Sequence, residues 1–229
     1  MIRHGQASFG KENYDKLSDT GLRQSVLLGK HLASLGIPFD SVYTGSLLRH
    51  QETLEGIRKG FAEKGGELPE SVIEKGINEY NSEALVRTLI PEIIKDDPSY
   101  ADDLRHFFTD DRAFSRIFEA VILKWVNGPG YPELMSFDDF FEKVNAGINE
   151  ILEKEKNSKN VMVVTSGGPL SITIKRALDL SGEHTMRLNW HIKNCSLTRI
   201  KFRDDRMILE TFNEINHLES EDRSLVTLK

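Results

Sequence analysis

A single cysteine, Cys195, stands among 229 residues, so no intrachain disulfide framework braces the fold. It opens the alternating stretch Cys195-Ser196-Leu197-Thr198-Arg199-Ile200, which predicts a buried strand thiol rather than a nucleophile. No apolar run approaches the roughly 20 residues that cross a bilayer. The first residues also lack the basic and apolar segments of a secretory leader, so the expected location is cytoplasmic, away from any membrane. Acidic side chains outnumber basic ones, 36 to 30. That balance argues against nucleic acid as a partner and requires an anionic ligand to meet a local cluster of arginines. His31, His50, His184, His191 and His217 are scattered without metal-ligand spacing. They are expected to be surface or satisfied structural residues, and no metal is expected. Internal repeats and low-complexity tracts are absent too.

What is present is an ordinary globular mixture, 38% hydrophobic and 29% charged, enough for a real core. Residues 18–36 read as a helix capped by Ser18 or Thr20, with Leu22, Val26, Leu28, Leu32 and Leu35 as its apolar stripe and Gly36 at its close. A short buried strand follows at 40–44, then a helix from near Ser46 to Gly65-Gly66 and a further strand candidate at 71–74. This alternation predicts a mostly parallel sheet. Between Glu79 and Met135 the pattern turns to helical runs at 83–96 and 112–126, punctuated by Pro98, Pro129 and Pro132. We expect a helical cap insertion at about 80–135 within one domain spanning 1–229. Ser136 and Asp139 fit a variant capping box for the next helix, and an apolar strand covers Val161–Val164. Gly167-Gly168-Pro169 opens a helix running through Leu180 and Gly182. The stretches 195–203 and 206–212 around Asp204-Asp205 predict an antiparallel hairpin at one edge of the sheet.

Four segments carry candidate chemistry. In Arg3-His4-Gly5 an imidazole can attack phosphorus if it is neutral, and nearby arginines favour that form. Arg3 offers a planar donor fork to phosphate oxygens, and Gly5 would let the backbone approach the phosphoryl group. Arg49, after Thr44-Gly45-Ser46, falls in a first helical turn where it opposes the helix dipole, so its placement needs another reason; completing a two-arginine clamp on phosphate is one. Glu79, past the third strand, is the candidate proton donor to a leaving oxygen, with Glu83 as competitor. Ser166 and Gly167 end a buried strand and open a helix whose free N–H groups favour an anion. Each segment also has a bland explanation, whether a basic N-terminus, a solvated arginine, a loop glutamate or a tight turn.

Taken in order, Arg3-His4-Gly5, the spacing from Leu17-Ser18 to Gly21 to Gln24, the Ser46 to Arg49 turn and the strand before Gly167-Gly168 resemble the histidine phosphatase superfamily, also called phosphoglycerate mutase-like. The resemblance covers nearly the whole chain. It implies a three-layer α/β/α sandwich with a helical insertion over the site, and catalysis without metal or organic cofactor. It further implies His4 as phosphorylated nucleophile, Arg3 and Arg49 as phosphoryl ligands, and Glu79 as the acid that later activates water.

Two departures are visible. Most members place a second histidine where this chain has Ser166, although Thr-Ser-Gly-Gly-Pro looks like a version seen in one branch. Ala7-Ser8-Phe9-Gly10 also lacks the asparagine and basic residues that follow the first motif in cofactor-dependent mutases. The expected function is a phosphomonoesterase acting on a small phosphorylated molecule. A silent phospho-ligand-binding module is the alternative and a phosphoglycerate mutase a third reading; a homodimer is compatible with the sequence. Only Met1 and Ile2 precede Arg3, against about five residues in a usual core strand, so the first strand is expected to be a stub or incomplete.

Overall fold

In a computed structural model, residues 1–8, 15–107, 109–128, 130–203 and 206–228 are described. Asp204-Asp205, about which the hairpin is expected, Pro129, Phe108 and the Phe9-Gly10 pair lie outside them. The strands are β1 (Ile2–Arg3), β2 (Ser41–Thr44), β3 (Ser71–Ile73), β4 (Val161–Thr165), β5 (Leu197–Arg203) and β6 (Arg206–Glu214). They form one sheet in the order β3-β2-β4-β1-β5-β6. β1, β2, β3 and β4 run parallel, whereas β5 pairs antiparallel with both β1 and β6. The hairpin therefore sits at one edge, as its period-two pattern predicts. Two residues suffice to place β1 inside the sheet, because Ile2 aligns with both Val164 and Leu197, and Arg3 with Thr165.

Alternation along the strands builds the layers. Val42, Met162 and Val164 pack on one face against Leu28 and Leu32 of α1 (Asp19–Ser34) and Leu54 and Ile57 of α2 (Leu48–Ala62). Tyr43 and Val163 face the other side, toward α3 (Ser82–Asp96), α5 (Asp111–Asn127) and α6 (Phe137–Lys154). The helical segment expected as a cap shares this second core: Leu89 of α3, Ile117 and Trp125 of α5 and Phe140 of α6 join one apolar cluster with the sheet.

Several local expectations need correction. On α1, Leu22 and Leu35 are exposed, and the buried face is Gly21, Gln24, Ser25, Leu28, Gly29 and Leu32. Small side chains occupy it because α1 and α2 pack nearly backbone to backbone, with Gly29 against Ile57 and Gly56 against Ser25. The helix from Gly167 stops earlier than expected. α7 covers Gly167–Leu178 and ends on Asp179 in a left-handed conformation, φ 53°. Ser181 then caps a separate helix, α8 (Gly182–Asn189), accepting from the His184 N–H. A six-residue helix, α4 (Tyr100–Arg105), escaped the sequence because it buries no side chain and so has no stripe to read. Cys195 is buried as expected, but it precedes β5 with φ 52° rather than lying in the strand. Ser136 does cap α6, accepting from Asp139 N–H and donating to the Asp139 carboxylate. Among the described residues no helix is long and apolar enough to cross a membrane.

Candidate active site

The carboxyl ends of β1, β2 and β4 meet at one sheet edge, the position where open α/β sheets hold ligands. His4 follows β1 directly, and its N–H donates to Thr165 O at 2.9 Å, continuing the ladder to β4. The ring is buried. Burial first, then the positive charges of Arg49 and Arg3, hold its pKa well below the ordinary imidazole value, so the ring is neutral. Nδ1 lies 2.7 Å from Gly5 O. A carbonyl can only accept, so Nδ1 carries the proton and Nε2 keeps its lone pair.

The loop after His4 is pinned from several directions. Gly5 N–H donates to Thr53 Oγ1 at 3.0 Å, and Gln6 N–H donates to Gln24 Oε1 at 2.8 Å. Ser18 Oγ accepts from Gly21 N–H at 3.1 Å and donates to Gln6 Oε1 at 2.7 Å. The Leu17-Ser18 to Gly21 to Gln24 spacing is thus a bracket for the loop after His4. Gly5 is needed for a reason other than approach to a ligand: a Cβ there would stand 2.6 Å from Gly21 O.

Arg49, in the first turn of α2, is buried and donates from Nη1 to Asp15 Oδ1 at 2.6 Å. The other oxygen of Asp15 accepts from Leu48 N–H at 2.8 Å. One carboxylate therefore serves both the helix terminus and the arginine, which offsets the unfavourable cation at that end. Arg3 donates to Ile192 O. Both guanidiniums act electrostatically on His4 and on Glu79, so the four residues share one pocket.

Glu79 reaches the same place from the far side. Oε2 accepts from Gly168 N–H at 3.1 Å and Oε1 from Tyr80 N–H at 3.2 Å. A Cβ at Gly168 would fall 2.0 Å from Oε1, so only glycine lets the carboxyl sit there. Desolvation raises the Glu79 pKa against the opposing pull of these N–H groups and both arginines. Glu83, the competitor, lies in the first turn of α3. Ser166 is fully buried at the start of α7, and its hydroxyl makes no cap hydrogen bond. Gly167 follows as the first residue of α7, with Arg3 Nε 3.8 Å and Asn189 Oδ1 2.2 Å from where its Cβ would be.

His50, expected to be surface or structural, is completely buried, with its ring centroid 5.8 Å from that of His4. Asp15, Thr53 and Lys143 were missed altogether. Lys143 Nζ donates to Asn78 O at 3.2 Å and lies close enough to Glu79 to feel its charge. His50 and Thr53 share α2 with Arg49, Thr53 donating to the Arg49 carbonyl at 2.6 Å, whereas Asp15 and Lys143 arrive from distant segments. The remaining histidines are away from the pocket, and His31 stacks on His217 at 5.3 Å. Among the described residues no group of three His, Cys, Asp or Glu side chains could hold a metal ion.

The family model for the histidine phosphatase superfamily (branch 1) matches residues 1–215. The chain belongs to that superfamily. Similar solved structures of histidine phosphatase fold include the alpha-ribazole phosphatase from Shigella flexneri, 18% identical with a TM-score of 0.61, covering 93% of this chain and 94% of that one. Phosphoserine phosphatase from Entamoeba histolytica, in complex with 3-phosphoglyceric acid, is 20% identical with a TM-score of 0.62, covering 95% and 96%. Phosphoglycerate mutase from Bacillus anthracis is 18% identical with a TM-score of 0.62, covering 95% and 93%. No curated protein matches.

Proposed function

We propose that this protein is a phosphomonoesterase that works through a phosphohistidine at His4. The observation that carries the reading is the neutral, oriented His4 ring, whose Nδ1–H is engaged by Gly5 O at 2.7 Å and whose Nε2 is left unprotonated. Nε2 attacks phosphorus, a P–N bond forms, and the P–O bond to the leaving group breaks. Glu79, whose raised pKa favours the protonated form, gives its proton to the departing oxygen. The resulting carboxylate then takes a proton from water as that water attacks phosphorus, the P–N bond breaks, and phosphate leaves. Arg3 and Arg49 bind the phosphoryl oxygens, with the N–H groups at Ser166 and Gly167 as further donors. The family supports the phosphatase class, and so do the alpha-ribazole and phosphoserine phosphatases that share the fold. The two arginines beside His4 suit a phosphorylated molecule.

The test is phosphate release from an aryl phosphate together with trapping of acid-labile phosphoenzyme, comparing the native protein with His4→Ala. Both signals are expected in the native protein and neither in the variant, a loss on the order of 10⁴-fold or more. Turnover that survives His4→Ala overturns the mechanism. Ser166, at the position of the usual second histidine, favours one other reading, a phospho-ligand-binding module. Calorimetric binding of a phosphorylated ligand without turnover would select it.

A further inference from the structure

Ser166 does not stand alone. Arg3 and Thr165 are register partners on adjacent parallel strands, so His4 and Ser166 follow them side by side at the strand ends. The Ser166 hydroxyl is not spent on capping α7; Oγ lies 2.6 Å from His50 Nε2. The other ring nitrogen of His50, Nδ1, is buried with no hydrogen-bond partner and packs toward Gly45, where an added Cβ would stand 2.2 Å from it. A buried N–H without an acceptor is among the rarest defects in folded proteins, and an idle lone pair is tolerated more readily. The proton therefore belongs on Nε2. Burial, with Arg49 beside it, lowers the His50 pKa to about 3, so the ring carries that single proton at neutral pH.

We infer that His50 and Ser166 form a two-residue donor: His50 Nε2–H donates to Ser166 Oγ, and the Ser166 hydroxyl, its acceptor side so occupied, donates its own proton to the phosphoryl group on His4. The imidazole comes from α2, one residue after Arg49, and acts through the serine. Chained hydrogen bonds polarise one another, so the relayed hydroxyl is a stronger donor than an isolated serine. His50 is a positioning residue, since it reaches the phosphoryl group only through Ser166. The inference rests on the phosphohistidine reading above.

Two measurements test it. Nitrogen chemical shifts of His50 in the native protein should report the Nε2–H tautomer; an Nδ1–H tautomer overturns the inference whatever the turnover. Kinetics on an aryl phosphate supply the second arm. Ser166→Ala should lower kcat by about 10²-fold with KM little changed, the loss expected for one preorganised donor. His50→Ala should lower kcat in the same direction, and His50→Gln, which can present an N–H to Ser166, should recover most of it. The double variant His50→Ala/Ser166→Ala should be no slower than Ser166→Ala alone, because the pair acts as one path. If His50→Ala fails to fold, His50→Gln and the tautomer decide. Unchanged kcat in His50→Ala, or losses that multiply in the double variant, overturn this inference while leaving His4-dependent turnover intact; turnover independent of His4 overturns the underlying mechanism instead.

Discussion

The strand-end pocket and the helices at 82–127 are built on opposite terms. In the pocket nearly every side chain is polar, buried and committed to a named partner: Gln24 holds Gln6, Thr53 holds Gly5, Asp15 holds Arg49. The helices are held by rings. Trp125 lies 5.3 Å from Phe137 and 4.9 Å from Tyr80, Phe107 is 5.0 Å from Phe114, and Phe114 stacks on Phe118 at 5.5 Å. Hydrogen-bond networks admit few substitutes, whereas apolar packing accepts any residue of about the right shape and volume. The difference teaches where chemistry and selectivity are separable. On the proposed mechanism the pocket sets the reaction, while the apolar packing of the helices leaves them freer to vary.

Perturbing each side separately sharpens that contrast. Trp125→Ala removes the ring that joins α5 to Tyr80 and Phe137, and should lower unfolding free energy by about 3–5 kcal/mol, read by denaturant titration. The fraction still folded should keep its kcat; a collapse of kcat would mean the helices take part in chemistry. Glu79→Gln should do the reverse. kcat falls about 10²-fold or more, while stability at neutral pH holds or rises. The sign follows from the raised pKa: the ionised carboxyl is disfavoured in the folded protein, so stability declines as pH climbs through the folded pKa, and removing the charge relieves this. The buried imidazoles give the next effect. Because His50 titrates near 3 when folded and near 6.5 when unfolded, the unfolded chain takes up protons first as pH falls. Stability contributed by its neutral burial is present above about 6.5 and is lost below it, at about 1.4 kcal/mol per pH unit for each such group. His50→Gln should flatten the acid limb of a denaturation series by that amount. Phe118→Leu should be the mildest change, with kcat on an aryl phosphate unaltered; a large loss would bring the helices into the reaction and break the contrast.

The mostly parallel sheet, the edge hairpin and the placing of His4, Arg49, Glu79 and Ser166 near strand ends were legible because strands and their following turns are local patterns, whereas the strand order was not. Arg3-His4-Gly5 is readable within three residues, and Val161–Val164 by its unbroken apolar run. The buried face of α1 misled because its contacts are made by Gly21, Ser25 and Gly29, which carry no hydrophobic signal. His50 and Asp15 were unreadable for a different reason. Their roles are set by partners 116 and 34 residues away in sequence, and no spacing rule encodes that. The break at Asp179 depends on one left-handed residue, which a non-glycine does not announce.

The bracket on the His4 loop has a consequence for synthesis. His4 needs Thr165 beside it, Asn194 donating to its carbonyl at 3.2 Å, and Gln24, itself held by Leu225 O at 2.7 Å and Thr227 Oγ1 at 2.9 Å. Those pieces leave the ribosome long after His4 does, at about 5–20 residues per second. The nascent chain carries the His4 imidazole unassembled until Asn194, Leu225 and Thr227 have emerged, and only then can the pocket close around it.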